Sequence, residues 1–183
     1  TPAGADEIKI GATLAETLTY DRRGRKLVLL SPDSGNWAYE DNGIGELSDA
    51  AAALDWVQSF HPEASTTWVA GFSFGAWIGM QLLMRRPEVR GFISISPPAN
   101  MYDFSFLAPC PSSGIIIQGA QDEVVNPHAV QKLVDKLRTQ RHITIHHDEI
   151  PRANHFYENE MDMLMASVNN YLDFRLDPNS PIK

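Results

Sequence analysis

Apolar positions along this chain recur at two periods, and each switch between them marks the border of a strand or a helix. Over residues 45–60, Leu47, Ala50, Ala51, Leu54, Val57 and Phe60 recur at three- and four-residue intervals, which gathers them on one helical face. His61-Pro62 ends that helix, because proline cannot continue its hydrogen-bond ladder. Residues 66–70 then read as a strand, followed at once by a helical pattern over 74–86 that Pro87 stops. Further strands are predicted over 92–96, 114–118 and 143–146, the last more alternating and nearer a sheet edge. Pro127 suits the first turn of a helix carrying Leu133, Val134 and Leu137. A last helix from Glu158 carries Met161, Leu164, Met165, Val168, Tyr171 and Leu172. Residues 175–183, with Asp177-Pro178-Asn179-Ser180-Pro181, read as a frayed tail.

Strands that alternate with helices predict an α/β protein, a three-layer α/β/α sandwich around a mostly parallel sheet. The nearly all-apolar run 114–118 agrees, since a strand covered by helices on both faces has no polar side. Nearer the start, Leu14 and Leu18 predict a short helix over 11–20, then a polar turn over 21–25, a strand over 26–31 and a loop at Asp33-Ser34-Gly35-Asn36. Residues 101–111 are aromatic, irregular and broken by prolines, which suits an excursion over a site. The 183 residues are expected to form one domain, 1–183.

Charge and cysteine content narrow the function classes. A net charge of −8, with no basic cluster stronger than 22–26 or Arg85-Arg86, argues against a nucleic-acid surface. Cys110 is the only cysteine, so the chain can form no internal disulfide and no thiolate metal site, which favours a reducing compartment and a cytoplasmic location. No apolar run approaches eighteen residues, so no membrane partner is expected. His142, His146 and His147 lie near Asp148 and Glu149, but adjacent His146 and His147 point to opposite faces of an extended chain, so no metal is expected. No phosphate-loop motif occurs, and no cofactor is expected.

The candidate chemistry sits at Val69-Ala70-Gly71-Phe72-Ser73-Phe74-Gly75. Glycine at 71 and 75 lets a strand turn abruptly into a helix with Ser73 at the apex, its hydroxyl exposed. A serine hydroxyl is a poor nucleophile at neutral pH unless a base takes its proton. Asp122 follows the strand 114–118, and His155 follows the strand 143–146, so the order is Ser, Asp, His. That order differs from those of the chymotrypsin and subtilisin folds.

In these stretches, and in Asn42-Gly43-Ile44-Gly45-Glu46-Leu47-Ser48-Asp49-Ala50, Gly119 to Pro127 and Ala153-Asn154-His155-Phe156, the chain resembles the α/β-hydrolase superfamily. Within it, the likeness is to small single-domain bacterial serine hydrolases related to the dienelactone-hydrolase group. It covers roughly positions 40–174. The resemblance implies that Ser73 attacks an acyl carbon, His155 relays its proton and Asp122 orients His155. It also implies an oxyanion hole of two backbone N–H groups, one of them from Phe74. Some dienelactone hydrolases use cysteine as the nucleophile; this chain has serine.

Such a hydrolase has about three strands before the one leading into the 45–60 helix, and two readings follow. In the first, 26–31 is the fourth strand, 1–10 is the remnant of a loop after a missing third strand, and the sheet closes by direct pairing of its neighbours, by another copy of the chain or by further residues. In the second, 26–31 is the third strand and Pro32-Asp33-Ser34-Gly35 forms the oxyanion loop, with a later strand and helix deleted. The first is preferred, because the distance from Leu30 to the 45–60 helix is too short for another strand-helix unit.

The expected function is cleavage of a carboxylic ester, or a related acyl bond, of a small substrate through an acyl-enzyme. Trp37, Met101, Tyr102, Phe104 and Tyr157 are candidates for the substrate pocket, although such aromatics equally suit core packing. The alternative is a catalytically weak hydrolase-like scaffold that binds or assembles, with an incomplete oxyanion hole or a homodimer that completes the sheet.

Overall fold

The computed structural model describes residues 19–20, 26–27, 29–30 and 43–181 apart from 63, 65 and 178, and within it five parallel strands lie side by side in chain order. They are β3 (Leu29–Leu30), β4 (Thr67–Phe72), β5 (Val89–Ile95), β6 (Gly114–Gly119) and β7 (Ile145–Ile150). Helices α1 (Ile44–Phe60), α2 (Phe74–Arg85), α3 (Pro127–Arg138) and α4 (Met161–Arg175) follow β3, β4, β6 and β7, and between β5 and β6 lies only a 3-10 turn over Ser105–Leu107. Two further short strands, β1 (Thr19–Tyr20) and β2 (Lys26–Leu27), form an antiparallel pair outside the main sheet.

Strand alternation divides the core into two layers. Val69, Phe92, Ile116 and Ile145 point to one face and meet Ala50 and Leu54 of α1, Ile78, Leu82 and Leu83 of α2 and Val130, Val134 and Leu137 of α3. Ala70, Ile93, Ile95, Ile115, Ile117 and Ile150 point to the other and meet Leu164, Val168, Tyr171 and Leu172 of α4. Neighbouring positions of one strand thus feed opposite cores, which is the period-two geometry of a sheet covered on both sides. The expected α/β/α sandwich with a mostly parallel sheet is the architecture found.

Several boundaries differ from the expectation. The strand predicted over 143–146 runs instead from Ile145 to Ile150, where polar His147, Asp148 and Glu149 hid it; β7 is an edge strand among the described residues, so these side chains reach partly to solvent. Thr19–Tyr20, at the end of the helix predicted over 11–20, is a strand, and the rest of that segment lies outside the described residues. The strand predicted over 26–31 is two: Lys26–Leu27 pairs with Thr19–Tyr20, and Leu29–Leu30 pairs with Ala70 and Gly71. Leu29–Leu30 therefore lies directly beside β4, the place the second reading gives it and one the first reaches by direct pairing of neighbours. Pro32-Asp33-Ser34-Gly35 and residues 1–10 lie outside the described residues. Arg175 is the last residue of α4 and is buried, its guanidinium stacked over Trp68.

Candidate active site

Ser73, Asp122 and His155 stand at the carboxyl end of the parallel sheet, where open α/β sheets leave a crevice. At the end of β4 the chain turns through Ser73 with φ 50° and ψ −121°, a conformation that L-residues rarely adopt, and enters α2 at Phe74. The turn is held from both sides: the Ser73 N–H donates to the Ile95 carbonyl at 2.8 Å, and the Ser73 carbonyl accepts from Ala76 N–H at 2.9 Å. It is possible only because Gly71 has no side chain. A Cβ there would lie 2.2 Å from the Gly75 carbonyl oxygen, inside the backbone of the helix that has just begun. The N–H of Phe74, in the first turn of α2, has no acceptor within its own helix, and among the described residues it has none elsewhere. It sits at the positive end of the helix dipole, beside the serine oxygen.

Asp122 and His155 come from the loops after β6 and β7, which are bonded to each other. Ala120 N–H donates to the Ile150 carbonyl at 3.0 Å, and Gln121 N–H donates to the Ala153 carbonyl at 3.0 Å. Gly119 makes this crossing possible, since a Cβ on it would stand 2.4 Å from the Ala153 oxygen. Beneath the crossing, the buried Tyr157 hydroxyl donates to the Ile117 carbonyl at 3.2 Å and lies 3.0 Å from Ser96 Oγ, pinning the histidine loop to the sheet. Burial pushes the Tyr157 phenol up, so it stays protonated and keeps donating.

The three groups form one line. His155 Nδ1 lies 2.8 Å from Asp122 Oδ2, and His155 Nε2 lies 3.1 Å from Ser73 Oγ. Because an ionised carboxylate only accepts, the imidazole proton is on Nδ1, and Nε2 presents its lone pair to the serine hydroxyl, which donates to it. Asp122, only 7 % exposed, also accepts from the N–H groups of Val124 at 2.9 Å and Val125 at 2.7 Å. Burial pushes its carboxyl up, but the hydrogen bonds from His155 and from the Val125 and Val124 amides together outweigh burial and hold it below the usual carboxylate range. The pair can therefore hold a stable anion next to an imidazole whose other nitrogen is free to take a proton.

Comparison with known proteins gives the same fold and arrangement a family. No family model matches the chain. An uncharacterized protein of Rickettsia prowazekii is 50 % identical over 136 residues, which are 72 % of this chain and 57 % of that protein. The crystal structure of an Agrobacterium tumefaciens protein of unknown function, provisionally assigned as an alpha/beta hydrolase, is 60 % identical with a TM-score of 0.74, over 77 % of this chain and 65 % of that one. An alpha-beta serine hydrolase homologue from Coxiella burnetii is 30 % identical with a TM-score of 0.68, over 83 % of this chain and 71 % of that one. The chain belongs to the α/β-hydrolase superfamily. The chain spans 57 % of the Rickettsia protein's length and 65 % of the Agrobacterium one's.

Of the other candidate residues, Tyr102 stacks on Trp77 at 4.6 Å and lies 5.6 Å from Phe74, while Met101 beside it is exposed. Trp77 Nε1 also donates to the Asp103 carbonyl at 3.0 Å, so residues 101–103 are clamped to the elbow helix and do not arch freely over the site. Phe104 is buried in the core layer shared with α2, and Tyr157 is 1 % exposed in the opposite layer, so both aromatics pack the interior. Trp37 lies outside the described residues.

Three neighbours of the site were not singled out from sequence. Phe72 and Phe156 place their rings 5.0 and 5.1 Å from the His155 ring, one from each side of the motifs, and Phe156 is 60 % exposed. Gln118, fully buried in β6, donates to Asp122. The signal for Gln118 was legible: it is the lone polar residue in the otherwise apolar run Ile115-Ile116-Ile117-Gln118 just ahead of the acid loop. Among the described residues no group of three metal-ligating side chains occurs, and no helix is long and apolar enough to cross a membrane.

Proposed function

We propose that this chain carries the active centre of a serine-dependent carboxylester hydrolase, with Ser73 as nucleophile, His155 as general base and acid, and Asp122 as the group that orients His155. The observation that supports this reading is the continuous line from Ser73 Oγ through His155 to Asp122 Oδ2, with spacings of 3.1 and 2.8 Å, at a strained strand-helix turn. His155 Nε2 takes the Ser73 proton as Oγ bonds to the carbonyl carbon, and Asp122 stabilises the imidazolium that forms. The carbonyl oxygen becomes an oxyanion that accepts from the Phe74 N–H at the positive end of α2. Collapse breaks the bond to the leaving alkoxide, which receives the proton from His155. Water, deprotonated by the same nitrogen, then attacks the acyl carbon and releases Ser73 and the acid. These steps use protein groups and water alone.

Half-buried Tyr102, whose ring lies 5.6 Å from that of Phe74, and exposed Met101 next to it in the chain are the candidates to touch a small acyl substrate. A cytoplasmic setting accords with a single cysteine that is buried and free, and a net charge of −8 accords with a partner other than nucleic acid. The second edge of the described sheet, β3, is where a second copy would add.

The test is covalent labelling with a fluorophosphonate, followed by peptide mapping, alongside hydrolysis of p-nitrophenyl acetate. The expected result is label on Ser73 and turnover, both lost in Ser73→Ala. A folded chain that neither labels nor hydrolyses would leave the binding-scaffold alternative standing.

A further inference from the structure

Gln118 is an anomaly in the centre of the sheet. It is 0 % exposed, in a strand whose other central side chains are isoleucines, and its Oε1 has no hydrogen-bond partner among the described residues. Its Nε2 is well occupied: Asp122 Oδ2 lies at 2.9 Å, the Gly119 carbonyl at 3.2 Å and the Val125 carbonyl at 3.4 Å. The amide orientation follows from those three acceptors, because turning it over would aim Oε1 at a carboxylate and two carbonyls. An apolar side chain of similar length would fill this space without stranding an acceptor, so packing alone gives no reason for glutamine.

We infer that Gln118 is a positioning residue for the proposed triad, fixing the same carboxylate oxygen, Asp122 Oδ2, that receives the His155 Nδ1–H. Asp122 is held at both ends: Val124 and Val125 amides fix Oδ1, and Gln118 fixes Oδ2. Without the Gln118 donor, the carboxylate can rotate about its own axis and its charge concentrates on the bond to His155. Both consequences act through Asp122; Gln118 itself touches neither Ser73 nor His155 by any hydrogen bond in the structure.

This inference rests on the proposed hydrolase reading, and two variants of the full chain test it. In Gln118→Met the donor is gone and the volume is kept. The expected result is a folded protein whose kcat/KM for p-nitrophenyl acetate falls by about ten- to a hundredfold, by analogy with loss of an outer partner from a metal-ligating side chain. KM should change little, and the acid limb of the kcat/KM profile should move to higher pH, because a less-shared carboxylate holds the imidazolium more tightly. Gln118→Glu donates to Oδ2 while it carries a proton and repels Asp122 once ionised. Its kcat/KM relative to wild type should therefore be highest at the acid end of the profile and fall as pH rises. Wild-type kinetics and an unmoved acid limb in Gln118→Met, or a pH-independent ratio for Gln118→Glu, would overturn the inference; if Gln118→Met fails to fold, the second ratio decides alone. A wild-type chain that is inactive and unlabelled at Ser73 ends the hydrolase reading instead, so the two failures are distinct.

Discussion

Replacing Gly119 by alanine isolates the crossing of the acid and histidine loops from the triad residues themselves. The added Cβ would stand 2.4 Å from the Ala153 oxygen and 2.9 Å from the Asn154 oxygen, where contacts below 3.0 Å are essentially absent from real proteins and ordinary contact begins at 3.4 Å. The histidine loop must therefore withdraw by about 0.6 to 1 Å, which is rigid-body movement of backbone and not a side-chain adjustment. Gly119 shows no positive φ, so the clash, and not backbone strain, is the perturbation. His155 lies two residues beyond Ala153, and its bonds at 2.8 and 3.1 Å both lengthen or bend when the loop lifts. Misplacement of a reacting group by about 1 Å costs on the order of a hundredfold in rate. The assay is kcat/KM for p-nitrophenyl acetate together with the rate of Ser73 phosphonylation, each compared with a thermal melt. Gly91→Ala supplies the control: its Cβ would stand 2.6 Å from the Trp68 ring, near the opposite end of the same sheet, where a side chain can yield. Loss of activity in Gly119→Ala beyond that in Gly91→Ala, at matched folded fraction, is the expected outcome. Equal losses, or full activity in Gly119→Ala, would refute the idea that the loop crossing sets the histidine.

Asp122→Asn is expected to lower kcat by about 10⁴-fold with the fold intact, by analogy with loss of the orienting carboxylate in other triads. The Asn nitrogen would face both His155 Nδ1 and the Gln118 donor, so the imidazole proton moves to Nε2 and the base toward Ser73 is lost; a variant within tenfold of wild type would contradict this. Stability is expected to fall as pH drops below neutrality. Burial chiefly, with positive Arg138 nearby, lowers the affinity of His147 for a proton, and burial chiefly does the same at His146, against the opposing pull of Asp148. Between the ordinary histidine value near 6.5 and the lower folded values, the unfolded chain binds more protons, so the stabilisation present above that range is lost through it. Urea melts from pH 7.5 to 5 should show this slope, and it should flatten in the double variant His146→Gln, His147→Gln; an unchanged slope would assign it elsewhere. Asp122 contributes in the opposite region, losing its stabilisation only as pH falls below the ordinary aspartate value near 3.8.

The legible parts of this protein are those where one local rule had a single solution. Gly71-Phe72-Ser73-Phe74-Gly75 after a strand predicts an elbow, because a turn that sharp tolerates no Cβ at 71, and the 2.2 Å approach to Gly75 is the physical form of that rule. Asp122 and His155 were found through chain order, which in a parallel sheet fixes the end at which each loop emerges. β7 was misjudged because its polar side chains reflect exposure at a sheet edge, which is a property of its neighbours and not of its own period. The candidate pocket residues were ambiguous for the same reason: that Tyr157 and Phe104 are buried and Met101 exposed is decided by what packs over them.

Periodicity assigns Gln118 to a buried strand, and a buried amide in such a strand is a cost unless something nearby requires a donor. The requirement lies four residues on, at Asp122, whose anion must be desolvated to hold His155 and yet cannot be left with unfilled lone pairs. A carboxylate buried to orient a base thus creates the need for a second buried polar group, and the cost is carried by the sheet centre, where Ser94 Oγ on β5, opposite Ile116, also lacks a partner among the described residues. Local departures from an apolar pattern just ahead of a predicted acid loop are for this reason informative: they mark where the electrostatics of a site has overruled the packing of a core.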